Sequence, residues 1–166
     1  MNSGLEMPRE TLQGLFIWHK SLGIVVLALT LFRLAWRLTH RMPVMPPGLR
    51  PWEALAAEAV HKLLYLLLLL QTLSGWCLVS LASVPFRFFG LFPMPRIPFL
   101  PMGQQAMALG EFLENIHGAM AGILAILIVL HAGAALKHHF LASDAVLLRM
   151  APRCLGPLLQ RLRGGH

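Results

Sequence analysis

From Leu63 to Phe86 the chain runs without one charged side chain, and it does so again from Ile116 to Leu136. An apolar run of about 20 residues matches the thickness of a bilayer when wound as a helix. Lipid offers backbone amides no partners, so such runs span as helices. A third run, Gly14 to Leu38, is interrupted by His19, Lys20, Arg33 and Arg37. Composition agrees: 57% of the 166 residues are hydrophobic and 13% are charged, against roughly 25% charged in ordinary soluble domains. A disordered tail, a disulfide-stapled module and a typical soluble enzyme are excluded. The predicted fold class is all-α: a transmembrane helical bundle with three spanning helices over 14–38, 63–86 and 116–136 within a domain of residues 1–153. A basic cytoplasmic tail is expected over 154–166.

The links have their own character. HRMPVMPPGLRP, His40 to Pro51, reads as a proline-rich turn, and Trp52 to Lys62 as an amphipathic lead-in helix. Ser83 to Gly110 carries Pro85, Pro93, Pro95, Pro98 and Pro101, which stop any continuous span. Its apolar side chains are expected to rest at the membrane interface. The formal net charge is +7, but the cations sit beside apolar runs, which argues against nucleic acid. Arg33, Arg37, Arg41 and Arg50 follow the first run; Lys137, Arg149, Arg153, Arg161 and Arg163 follow the third. The positive-inside rule makes that shared side, with the C-terminus, cytoplasmic. The N-terminus lacks the order of a signal peptide. Cys77 and Cys154 suggest no disulfide framework, and Cys77 reads as a small hydrophobe.

Ionisable groups inside a span are functional candidates by default. His117 and His131 are fourteen residues apart, nearly four helical turns, with about 40° of angular offset and about 21 Å of rise. One face therefore presents an imidazole near each membrane surface. That suits two stacked haems and not one compact metal site, whose ligands must all lie about 2 Å from one ion. His19 lies at the depth of His117 and is its expected partner across an outer haem. Two imidazoles leave iron no open position, which favours electron transfer. Gly23, Gly118, Gly122 and the residues after His131 (Ala132 to Ala135) are small enough to leave a slot for a porphyrin, or to pack helices closely.

Arg33 is fourteen residues after His19. At the inner level it would pair with a haem propionate, as would Arg37, or both would snorkel to headgroups. His61 opens the second run on the inner side, as an interfacial residue or as a haem or quinone contact. His138 and His139 lie at the inner surface as a solvated helix end or a quinone docking and proton-delivery site. His40 and His166 read as surface residues.

WHKSLGI from Trp18, LFRLAWR from Leu31 and LTHRMP from Leu38 resemble the prokaryotic cytochrome b561 family. So do VHKLLY from Val60 leading to LSG at Leu73, Ile116-His117, LHAGAALKHHF from Leu130 and LLRMAPR from Leu147. The resemblance extends from about Leu15 to Arg153. It implies a four-helix membrane cytochrome with two b haems, moving electrons at the bacterial inner membrane in exchange with quinone. At least one member is understood to oxidise superoxide while reducing ubiquinone. It also implies haem ligation by His19, His117 and His131, and places His61, His138 and His139 where quinone or substrate chemistry is suspected. The family's first helix, carrying the partner of the residue matching His131, has no counterpart here. The expectation is a start assigned too late, with His61 as the alternative partner of His131.

Four functions follow as expectations. The leading one is a haem electron carrier between quinone and a partner or small reductant. A superoxide:ubiquinone oxidoreductase, with Lys20, Arg87 and Arg96 on an attracting rim, is the enzymatic form. The others are a membrane anchor for a redox partner and, weakest, a histidine-lined metal transporter.

Overall fold

A computed structural model of the chain describes residues 8–40, 50–82, 84–140, 155, 157 and 160. It contains three long helices, α1 (Arg9–Thr39), α2 (Pro51–Leu81) and α3 (Gln104–Phe140), with a short antiparallel hairpin between the last two, β1 (Arg87–Phe88) and β2 (Phe92–Pro93). All three helices are long and apolar enough to cross a membrane.

The helices outrun the apolar stretches that announced them. The expected lead-in helix and second span are one continuous α2. Pro51 occupies its first position, where no intrahelical N–H is required, and the Glu53 carboxylate accepts from the Arg50 backbone N–H at 3.0 Å. At the other end α2 stops at Leu81, five residues before the expected Phe86. Pro85 excludes helical backbone for the residue before it. The loop then takes over the orphan groups of the last turn. Arg96 donates through Nε and Nη2 to the Ser80 carbonyl, at 2.9 and 2.6 Å. Ser80 Oγ accepts from Ile97 N–H, and Trp76 Nε1 donates to the Pro95 carbonyl. The last turn of α2 has no basic residue of its own, so Arg96 supplies the charge that its dipole favours there. α3 starts at Gln104, twelve residues before the expected span. It begins immediately after Gly103, whose φ of +64° is open to glycine. The expected loop to Gly110 is correspondingly shorter.

The chain divides into two compact units. The first comprises Met1–His40 and Tyr65–Gly122, the second Arg41–Leu64 and Ile123–His166. In the first, the buried positions include Ser21, Thr30, Thr72, Ser74 and Ser80, whereas Phe16, Leu29, Phe32 and Phe112 are exposed. In the second, Leu124 and Ala135 are buried while Ile126, Val129 and Leu130 are exposed. Small and hydroxyl-bearing residues inside with large apolar ones outside is the arrangement of helices packed in lipid. Thr72 shows how the interior hydroxyls are satisfied, donating to the Leu68 carbonyl at 2.8 Å.

The hairpin is pinned to α1 within one turn of His19. Ser21 is fully buried. Its hydroxyl donates to the Ile17 carbonyl at 2.7 Å and accepts from Phe89 N–H at 2.8 Å. Trp18 meets the Phe89 ring edge-on at 5.1 Å. The turn is braced from within by Arg87, which donates to the carbonyls of Gly90 and Leu91. Arg87 and Arg96, expected on an attracting rim, therefore also serve as backbone staples.

Candidate haem site

Within the first unit, α1 and α3 bring His19 and His117 together as their spacing and depth predict. The ring centroids are 6.2 Å apart and the planes 84° from parallel. His19 is exposed and His117 half-buried. An iron held between two imidazole nitrogens, with bonds of about 2 Å each, plus the ring radius at either side, separates the centroids by roughly 6 Å. The residues present thus fit a bis-imidazole haem.

Three residues of α2 that the sequence reading left out of the site support His117. Ser74 Oγ lies 2.9 Å from His117 Nδ1 and 2.9 Å from the Gln71 carbonyl. Gln71 Nε2 donates to the His117 carbonyl at 3.1 Å. Gly75 lies against the Cε1 edge of the ring, where an added Cβ would stand 3.1 Å from His117 Cε1. A signal for these is present in the sequence: Gln71, Thr72 and Ser74 cluster as polar residues within the uncharged run, and Gly75 follows them. By contrast, a Cβ at Gly23, Gly118 or Gly122 would meet nothing within 4 Å. That is open space of the kind a flat group or lipid occupies, and it removes close helix packing as the reason for those glycines.

In the second unit His131 finds His61, with ring centroids 5.0 Å apart and planes at 74°. The two are about an ångström nearer than an iron between them requires. As arranged, the pair does not fit opposite ligation of one haem. Arg37 is half-buried, with its guanidinium carbon 5.3 Å from the centre of the Tyr65 ring, while Arg33 is exposed. His40 stacks on Trp36 at 3.7 Å and closes the end of α1, a structural role consistent with its expected surface position. The side chains of His138 and His139, together with Arg41, Arg149, Arg153, Cys154 and His166, lie outside the described residues.

Comparison with known proteins places the chain in a family. A family model for prokaryotic cytochrome b561 matches residues 2–153. Cytochrome b561 homolog 2 of Escherichia coli is 36% identical over 132 residues, 80% of this chain and 68% of that protein. Cytochrome b561 homolog 1 of the same organism is 35% identical over 135 residues, 81% of this chain and 73% of that protein. A probable superoxide oxidase of Yersinia pestis is 30% identical over 150 residues, 90% of this chain and 81% of that protein. Three membrane-capable helices and a match over nearly the whole length make the chain a multi-pass membrane protein that belongs to the prokaryotic cytochrome b561 family.

Proposed function

We propose that this protein is a membrane-bound b-type cytochrome that passes electrons through haem and exchanges them with quinone. The observation that carries the reading is the facing pair His19 and His117, at the separation two imidazoles adopt around one iron. Haem held there by His19 and His117 would supply one-electron chemistry. The chain's own part is to hold the two imidazoles at fixed distance on separate helices, to orient His117 from α2, and to leave room beside Gly23 and Gly122. His131 would hold a second haem. His61 would have to move by about an ångström to hold that haem with it, and a contact of His61, His138 and His139 with quinone is the alternative. Arg33 and Arg37 would offer guanidinium groups to propionates. The cation rule supports a cytoplasmic C-terminus, and the family resemblance supports the bacterial inner membrane.

A narrower reading is favoured by one relative, the probable superoxide oxidase. In it, two superoxide anions each surrender an electron and leave as oxygen, and one quinone takes up both electrons with two protons. Lys20, Arg87 and Arg96 would attract the anion.

The test is a reduced-minus-oxidised absorbance spectrum with haem stoichiometry on the purified chain. b-type bands are expected, and His19→Ala and His117→Ala should each remove the same haem. A folded but colourless chain, after ample haem supply, overturns the cytochrome reading in favour of a membrane anchor. Fast haem reduction by superoxide without a partner protein selects the oxidase; reduction by quinol alone selects the carrier.

A further inference from the structure

A haem-ligating histidine offers one ring nitrogen to iron, and the partner of its other nitrogen sets tautomer, ring orientation and basicity. For His117 that partner is Ser74, and the bonding around Ser74 decides which way the proton faces. A serine hydroxyl carries one proton and two lone pairs. The Gln71 carbonyl, 2.9 Å away on the same helix, can only accept, and we assign the hydroxyl proton to it. The oxygen, 2.9 Å from His117 Nδ1, is left to accept, so Nδ1 bears the ring's hydrogen. The lone pair of the neutral imidazole is then on Nε2. Ser74 is buried, so little water competes for this bond.

Two neighbours make the arrangement a cradle. Gln71, Ser74 and Gly75 are spaced i, i+3 and i+4, which puts them on one face of α2. Gln71 donates to the backbone carbonyl of His117 itself. It does so with its Oε1 buried and unpaired among the described residues, so the amide is turned toward His117 rather than toward its own full satisfaction. Gly75 lets the ring lie against the α2 backbone, with no room for a side chain between. Ring nitrogen, ring edge and main chain of one residue are thus all held by one helix turn.

We infer that Ser74 and Gln71 are positioning residues: they hold His117 as the Nδ1–H tautomer with Nε2 presented for ligation, and Ser74 sets the potential of the haem bound there. The inference rests on the reading of His117 as an axial ligand. A ligand imidazole that donates through Nδ1 is more basic. It favours the ferric state, so the bond lowers that haem's reduction potential.

The experiment is a redox titration with low-temperature electron paramagnetic resonance on the haem-loaded full chain in detergent. Ser74→Ala should keep its haem, alter the low-spin ferric signal, and raise the reduction equilibrium of the His117 haem about tenfold, or about 59 mV for one electron. Ser74→Thr, which retains the hydroxyl, should restore the original value. Should Ser74→Ala fail to fold, Ser74→Cys, with its weaker acceptor, must shift the potential in the same direction. An unchanged potential and signal in a haem-loaded Ala or Cys variant overturns the inference, as does a Thr variant that shifts as far as Ala. If His117→Ala loses its haem while Ser74→Ala moves nothing, only the positioning role fails. If His117→Ala keeps the full haem complement, the ligation reading fails and the inference with it.

Discussion

Residue-scale chemistry here turns on single ångströms. Gly75 shows it most directly: the nearest atom to its missing Cβ is a ring carbon of His117, at 3.1 Å. Ala at this position must push the imidazole by a few tenths of an ångström or shift α2. Gly75→Ala is therefore expected to weaken haem binding at His19 and His117 by roughly tenfold, within the range seen when the support of a ligand is lost. Helical content should be unchanged. Haem titration followed by absorbance and circular dichroism checks both halves. Gly23→Ala, with nothing within 4 Å of its Cβ, is the contrast. In the haem-free chain it should be stabilising by up to about 1 kcal/mol, so that any fall in haem affinity reports contact with the bound group alone. The meeting of His19 and His117 was legible from their common depth at the ends of two apolar runs. The α2 cradle was not, because a serine and a glutamine in an apolar run have no period of their own that points at a partner on another helix.

Elements owe their ends to contacts that hydropathy does not register. α2 was expected to continue to Phe86 because the apolar run does, yet it stops where Pro85 forbids helix and Arg96 claims the Ser80 carbonyl. α3 extends over Gln104 to Asn115, where polar residues hid it from an apolar window. The hairpin, invisible beforehand amid its prolines, owes its attachment to Ser21. Ser21→Ala strands the Phe89 amide and frees the Trp18–Phe89 contact. An unpaired buried N–H costs about 1–3 kcal/mol. The variant should lose stability on that scale, and hydrogen exchange at the Phe89 amide should accelerate while α3 amides stay protected. Equal protection in both proteins would separate the hairpin from α1.

At the scale of the whole molecule, haem is expected to act as a folding ligand. A group that binds only the folded chain stabilises it by about 2.7 kcal/mol when its free concentration is a hundred times the dissociation constant. Thermal unfolding in detergent should therefore move upward with added haem, and His117→Ala should abolish most of that gain. The haem count per chain carries the second question. One haem is expected if only His19 and His117 are competent, and two if His131 acquires an opposite ligand. The second outcome requires the His61 and His131 rings to part from their 5.0 Å separation, and replacing His61 by Ala then distinguishes a ligand from a bystander: loss of one haem marks the ligand.

The sequence by itself determined the class of this protein. Uncharged runs of bilayer length can satisfy their backbone only as helices, and fourteen-residue histidine spacing commits one helical face to two separate imidazoles whatever surrounds them. Tertiary structure alone decided which groups face those rings. Hydrogen bonds between helices depend on crossing and rotation, which no local pattern encodes. Hence His131 meets His61, Arg37 meets Tyr65, and Ser74, Gln71 and Gly75 converge on His117.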